Sequence, residues 1–447
     1  MSRIRIIITI IVVVLTTLLT GCTGKEPNEI AYVVALGIDS TDDDNYKITI
    51  QYANTTQISG GASESGGKAG SEIVDNVTIE APNIYAGVGL ANNIVSKSFS
   101  MSHAKLIVFS KEIAEKGVKD MIETLVRSEE IRPDVFIAVA NTTANDYLTS
   151  VNPEMEVNPA QYYQLIYQKN QLVGIPDGQL REFFTGLYTD NYDSILPVAG
   201  VIEGAGGNSQ NDDKGQSKES QNEGSEGSSE SLDSFESKNS DENEKEKDAE
   251  KNTSKYEYDI KNYVGGETAI EKKNKAEAIG AAVFEKDKMV GELGEVETEI
   301  CKMLKGDYTY SYLTYYNNDT PDIPITVKTT QQKKPKYKID TDKKTVDIEL
   351  YIESDLYSLP ADYNVENKIE DFERDVANYT SSACTEFINN FTKKYNSDIL
   401  KLNEKMKYKF LTNNQYNWFK KNVGWSEYKF SVCTNFKVRR TGLIVRE

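Results

Sequence analysis

Residues 105–140 read KLIVFSKEIAEKGVKDMIETLVRSEEIRPDVFIAVA. Lys105 to Phe109 is a short apolar run with the form of a strand, and Val135 to Ala140, after Pro133, is another. Between them, Lys111 to Ser128 carries Ile113, Gly117, Met121 and Leu125 on one stripe, the period of a helix. A helix between two strands predicts a βαβ-like unit in a mixed sheet. Upstream, Ile30 to Asp39 reads as a buried strand and Thr41 to Asn45 as a turn. Tyr46, Ile48, Ile50 and Tyr52 then alternate with polar residues, so a hairpin with one face on a core is expected. Val74 to Ile79 is a further strand, and Pro82 opens a helix marked by Ile84, Val88, Ala91 and Val95. Downstream, Asn145 to Val151 and Pro159 to Gln168 read as short helices. The second gathers Tyr163, Ile166 and Tyr167, a cluster that suits core packing better than a partner surface.

A second ordered region begins at Ala278. Ile279 to Phe284 and Met289 to Leu293 flank a polar turn as a hairpin, and Glu295 to Leu304 follows as a helix. Val346, Ile348, Leu350 and Ile352 alternate with Asp347, Glu349, Tyr351 and Glu353, a half-buried strand. Val365 to Tyr395 then forms one amphipathic pattern, which as a continuous helix would span about 45 Å at ~1.5 Å per residue. Tyr428 to Val438 alternates again, predicting a last strand in a sheet covered by that helix.

Gly204 to Tyr256, between the two regions, has almost no large apolar residues and too little to bury to offset its conformational entropy, so it reads as a disordered linker. Asn211 to Glu250 alone holds 14 acidic and 5 basic residues, nearly half of the formal net charge of -19. An acidic balance argues against nucleic acid and against electrostatic adhesion to anionic lipid. The single histidine, His103, and cysteines at 22, 301, 384 and 433 without C-x-x-C spacing argue against zinc sites, a disulfide framework and His-dependent nucleophilic catalysis. The glycine-rich stretch near Gly67-Lys68 lacks the first glycine and the hydroxyl of a phosphate loop, and Gly87-Val88-Gly89 lacks the third glycine of a dinucleotide fingerprint.

The amino terminus sets the compartment. Arg3 and Arg5, the apolar run Ile6 to Leu19, and Thr20-Gly21 before Cys22 form an export signal of the lipoprotein kind. The run is short for a bilayer span, which favours cleavage over a retained anchor. Cys22 is therefore the expected lipid-attachment residue, each buried acyl CH₂ contributing about 0.8 kcal/mol to anchoring.

The order of these pieces resembles the Ger(x)C family of spore germination lipoproteins. The matching stretches are Glu29-Ile30 with Gly37-Ile38-Asp39, the block from His103 to Val108 leading into Glu112 to Val118, and Ile195-Leu196-Pro197. Gly280 to Phe284, Asp287 to Gly291 and Glu297 look like the start of the family's C-terminal region; Asp398-Ile399, Trp418, Trp425 and Gly442 to Ile444 look like its end. Two departures stand out: Thr23-Gly24 replaces Trp-Asp after the cysteine, and Lys401-Leu402-Asn403 replaces a Gly-x-Gly turn.

The resemblance implies an α+β fold, mixed β-sheets flanked by helices in two or three domains. The expected division is a signal peptide over 1–21, an N-terminal germination-protein domain over 22–203, the acidic linker over 204–262 and a C-terminal domain over 263–447. It also implies a non-enzymatic C subunit of a germinant receptor without cofactor, lipid-anchored on the outer face of the spore inner membrane. Its partners would be the integral membrane A and B subunits and the bilayer, and its task assembly or signal coupling. The competing readings are an extracytoplasmic solute-binding lipoprotein of a transporter, disfavoured by the long linker, and a glycoside hydrolase built on paired carboxylates.

Overall fold

The computed structural model describes residues 3–10, 29–53, 74–202, 262–268 and 274–441, apart from residues 44, 153–155, 157, 169–173, 190, 318–319, 359–367 and 396. Cys22, the acidic linker, the glycine-rich stretch and Gly442 to Ile444 lie outside the described residues. Residues 3–10 are helical, and among the described residues no helix is long and apolar enough to cross a membrane.

Sheet 1 has nine strands: β1 (Ile30–Ser40), β2 (Tyr46–Ala53), β3 (Val74–Ala81), β4 (Ser98–Ser100), β5 (Leu106–Ser110), β6 (Phe136–Ala140), β7 (Ile195–Val201), β8 (Ala276–Glu285) and β9 (Lys288–Leu293). Their order is β3-β2-β1-β5-β6-β7-β8-β9, with β4 beside β1. The middle four, β1, β5, β6 and β7, run parallel, and antiparallel pairs close both sides. Parallel strands need cover on both faces. One face bears α1 (Ile84–Ala91), α2 (Lys111–Lys116) and α3 (Lys119–Val126), packed over Ile107, Phe109, Ile137 and Val139. The other bears α4 (Ala144–Ser150) and α5 (Pro159–Gln168), packed over Leu106, Val108, Phe136 and Ala138. α6 (Leu180–Thr189) returns to the first face through Leu180 and Phe183.

The expected βαβ unit is present, with one correction: its helix is two. Gly117, at φ 124, breaks the pattern into α2 and α3, and its N–H bonds the Ile113 carbonyl 2.9 Å away. The next residue, Val118, donates its N–H to Asp287 O across the β8–β9 turn at 3.0 Å, which fixes the break in place. A second correction concerns β2, which is covered on both faces. Its polar residues Thr49 and Gln51 are fully buried. Gln51 Nε2 donates to Leu148 O at 2.9 Å, and Tyr163 Oη donates to Gln51 Oε1 at 2.5 Å. The tyrosine cluster is core: Tyr163 and Tyr167 are buried, and the Tyr167 and Tyr147 hydroxyls bond at 2.9 Å.

α7 (Glu295–Lys305) leads to sheet 2, of β10 (Tyr310–Asn317), β11 (Thr320–Thr330), β12 (Lys336–Asp340), β13 (Thr345–Ser358) and β14 (Lys429–Arg440). β13 shows the expected alternation, its even-numbered residues from Val346 to Leu356 buried. α8 (Ile369–Lys394) is the long helix, 26 residues or about 39 Å. It carries the chain from β13 back to β14, which runs parallel to β13 as a crossover requires. Along the other edge of β14, helix side chains stand in for a neighbouring strand. Ser381 Oγ, Thr385 Oγ1 and Asn389 Oδ1 accept the N–H groups of Thr434, Val432 and Phe430 at 2.9, 3.0 and 3.1 Å. Four helical residues rise ~6 Å and two strand residues ~6.6 Å, so the two spacings keep step.

One core joins the sheets: Ala281, Val283 and Leu293 of β8 and β9 share it with Cys301 and Leu304 of α7, Val346 and Ile348 of β13, and Cys384 and Ile388 of α8. Cys301, Cys384 and Cys433 are free thiols; burial pushes the first two up to about 12 and keeps them protonated.

Candidate functional site

Where the two halves meet, a polar cleft of about 590 Å3 opens between α6, the turn between β8 and β9, and the C-terminal helices. Two aspartates hold its floor, Asp398 buried and Asp193 half-buried. Asp193, just ahead of β7, accepts the Lys286 N–H on Oδ1 at 3.0 Å and the Asp398 N–H on Oδ2 at 2.8 Å. Asp398 in turn accepts the N–H groups of Leu402 at 2.8 Å and Asn403 at 2.7 Å, closing the turn into α9 (Leu402–Met406). Phe284 N donates to Ser194 O at 3.1 Å, and Ser397 Oγ donates to Phe284 O at 3.1 Å. Three segments far apart in sequence are thus bonded through two carboxylates and one strand end.

The turn after Asp398 is where the family's Gly-x-Gly is missing. Lys401 adopts φ 56, a left-handed conformation that costs an L-residue roughly 1–2 kcal/mol. Its side chain offsets this: Nζ reaches Glu182 Oε2 at 3.0 Å and sits 4.2 Å from the centre of the Tyr192 ring. α10 (Asn413–Asn422) closes the cleft. Lys420 Nζ donates to Thr189 O at 2.8 Å, the Tyr416 hydroxyl lies 3.0 Å from Asn191 Oδ1, and Trp425 Nε1 donates to Asn403 Oδ1 at 3.2 Å.

Burial raises the pKa of both aspartates against the pull of their N–H donors, Asp398 to about 7. Burial also raises Glu182, but the Lys401 ammonium outweighs it and leaves that carboxyl below its ordinary value. All four oxygens of Asp193 and Asp398 are already engaged by backbone N–H groups. Such carboxylates fasten segments together. Among the described residues no group of His, Cys, Asp and Glu is placed to hold a metal ion.

Several residues quoted for the resemblance act in the same way. Asp39, buried, caps α4 by accepting the Ala144 and Asn145 N–H groups at 2.6 and 3.0 Å. Glu297 accepts the Gly294 N–H at 3.0 Å and so caps the start of α7. Trp425 is buried in the cleft wall, whereas Trp418 is exposed. His103 Nδ1 lies 3.0 Å from Ser102 Oγ, and its ring meets Tyr32 edge-on at 4.8 Å. Asp193, Tyr192, Lys286 and Lys420 had no signal of their own, since they sit in turns and on a polar helix without periodicity.

Two family models match the chain in order: the spore germination protein N-terminal domain over residues 24–201, and the spore germination B3/GerAC-like C-terminal region over 279–442. The chain belongs to the Ger(x)C family of spore germination proteins. Similar members include spore germination protein KC of Bacillus subtilis (strain 168), 26% identical over 176 residues, covering 36% of this chain and 43% of that protein. Spore germination protein B3 of the same organism is 26% identical over 148 residues, covering 31% and 36%. The chain therefore aligns with under half the length of these curated relatives. A crystal structure of the GerBC protein superposes over 90% of this chain and 96% of its own with a TM-score of 0.48 and 15% identity. Membership makes the junction around Asp193 and Asp398 a property of a Ger(x)C protein, with Asp398 and Trp425 among the residues that carry the resemblance.

Proposed function

We propose that this Ger(x)C protein is the C subunit of a spore germinant receptor, lipid-anchored through Cys22 on the outer face of the spore inner membrane. It works without catalysis, in assembly or signal coupling with the integral membrane A and B subunits. Residues 22–203 and 263–447 serve as its two modules. The observation that carries this reading is the match of both family models, in order, across both ordered halves. The junction supports it, because a chain whose halves are fastened by backbone-bonded carboxylates transmits a displacement at one half to the other. The solute-binding reading fares worse: β7 pairs with β8 in one sheet, so the halves are not lobes free to close on a solute.

Cys22→Ala tests the anchor. The variant should leave the membrane fraction and impair germination through its receptor. A variant that stays membrane-bound with normal germination would refute lipid anchoring. A pull-down of the tagged protein from detergent-solubilised spore membranes tests the partners: two multi-spanning proteins should be recovered, and a transporter permease in their place would overturn the reading.

A further inference from the structure

Between Lys401 and Asn422 the acidic chain reverses its sign, with six lysines, no arginine and Glu404 as the single acid. The same stretch exposes the two barest large hydrophobic side chains among the described residues, Leu411 at 96% and Tyr408 at 92%, and Trp418 at 69%. Phe410 packs its ring 5.9 Å from Tyr416 and 5.0 Å from Phe419, centroid to centroid, so Leu411 and Trp418, each adjacent in sequence to a packed ring, are turned outward. Lys407 and Lys421 are exposed as well, and Lys409, also exposed, bonds the Ile339 carbonyl through its Nζ.

Exposed Trp, Tyr and Leu side chains interspersed with exposed lysines are what a membrane–water interface takes: rings at the headgroup level, ammonium groups among phosphates. Protein interfaces favour arginine, whose planar fork fixes a partner, and are depleted in lysine. An all-lysine rim therefore points to a fluid array of headgroups. The net positive charge of this stretch favours its approach to an anionic surface.

We propose that the face formed by Tyr408, Leu411 and Trp418 with Lys407, Lys409 and Lys421 docks on an anionic phospholipid bilayer, a contact separate from any lipid on Cys22.

The chain contains two tryptophans, and Trp425 is only 6% exposed, so Trp418 is a ready reporter. The full chain is combined with vesicles of phosphatidylcholine containing phosphatidylglycerol, or of phosphatidylcholine alone. Flotation establishes membrane association, and Trp418 emission and its quenching by brominated lipid report depth; Trp418→Phe supplies the Trp425 background. A blue shift and quenching should appear with phosphatidylglycerol, weaken with salt and be absent on phosphatidylcholine. Lys407→Gln and Lys421→Gln should each lower the docked-to-undocked ratio about fivefold, as expected for a lysine at an anionic surface. Leu411→Ser should weaken docking without moving the salt dependence. A chain that floats equally with both lipids while Trp418 stays in water would be tethered and undocked, overturning the proposal while sparing the anchor. Docking unaffected by both lysine changes would overturn it too, because these lysines would not carry the contact. A chain that does not float with either lipid would overturn both readings.

Discussion

Asp398 makes the junction sensitive to pH, and Asp398→Asn tests how. The carboxyl is raised by burial from 3.8 to about 7 in the folded chain. Its contribution to stability is therefore fully present below the unfolded value of 3.8 and is lost as pH rises towards 7, because the unfolded chain releases the proton first. At 1.36 kcal/mol per unit, that window of about three units has a ceiling of about 4 kcal/mol, and relaxation around the buried charge lowers it. The amide of the variant would carry no titrating proton. It would keep one acceptor for the Leu402 and Asn403 N–H groups and leave the other N–H unmatched, at a cost of about 1–3 kcal/mol. Urea unfolding of both proteins between about pH 4 and about pH 8 separates the two effects. The variant should be the weaker protein in acid, with its deficit shrinking or reversing towards neutrality. Glu299, raised to about 7, titrates in both proteins and cancels in the comparison, whereas Asp193, raised in the same direction and coupled by charge to Asp398, responds to the substitution and is part of the difference measured. Parallel stability curves across the whole range would refute the assignment of a raised, proton-holding Asp398.

Asn389→Ala should cost about 1–3 kcal/mol, since it strips partners from both the N–H and the carbonyl of Phe430; a loss below about 0.5 kcal/mol in urea unfolding would mean that solvent replaces the helix there. Deleting Gln210 to Glu250 should leave a single cooperative melting transition at an unchanged temperature, and disappearance of that transition would make the segment part of the fold.

Much of the architecture was legible because hydrophobic period and buried face coincide: β13, β14, α8 and the β5–β6 unit each follow their pattern. The misses have physical causes. Gly117 looked like a small residue on a helical stripe, but its positive φ and the Asp287 carbonyl bonded by Val118 decide otherwise. Thr49 and Gln51 read as a solvent face because the Asn145, Leu148 and Tyr163 groups that satisfy them are about a hundred residues away. β10, β11 and β12 escaped notice because their strands are written in Tyr, Thr and Lys, with inward residues such as Leu313, Ile325 and Val327 too sparse to mark a period. At the junction, Asp398 and Trp425 were singled out by resemblance. Asp193, 205 residues away from Asp398, was not, because no local pattern announces a long-range hydrogen bond.

The pairing of β7 with β8 has a consequence for how the protein comes into being. The first seven strands leave β7 with an unsatisfied edge until some 75 further residues have been made, since β8 begins at Ala276. Pairings so distant in sequence form late and slowly. The chain is thus biased against completing its larger sheet until both halves are present. The same ladder works in reverse: a protease that cuts between residues 203 and 261 would produce two fragments that still share one sheet, and cleavage there would not separate them.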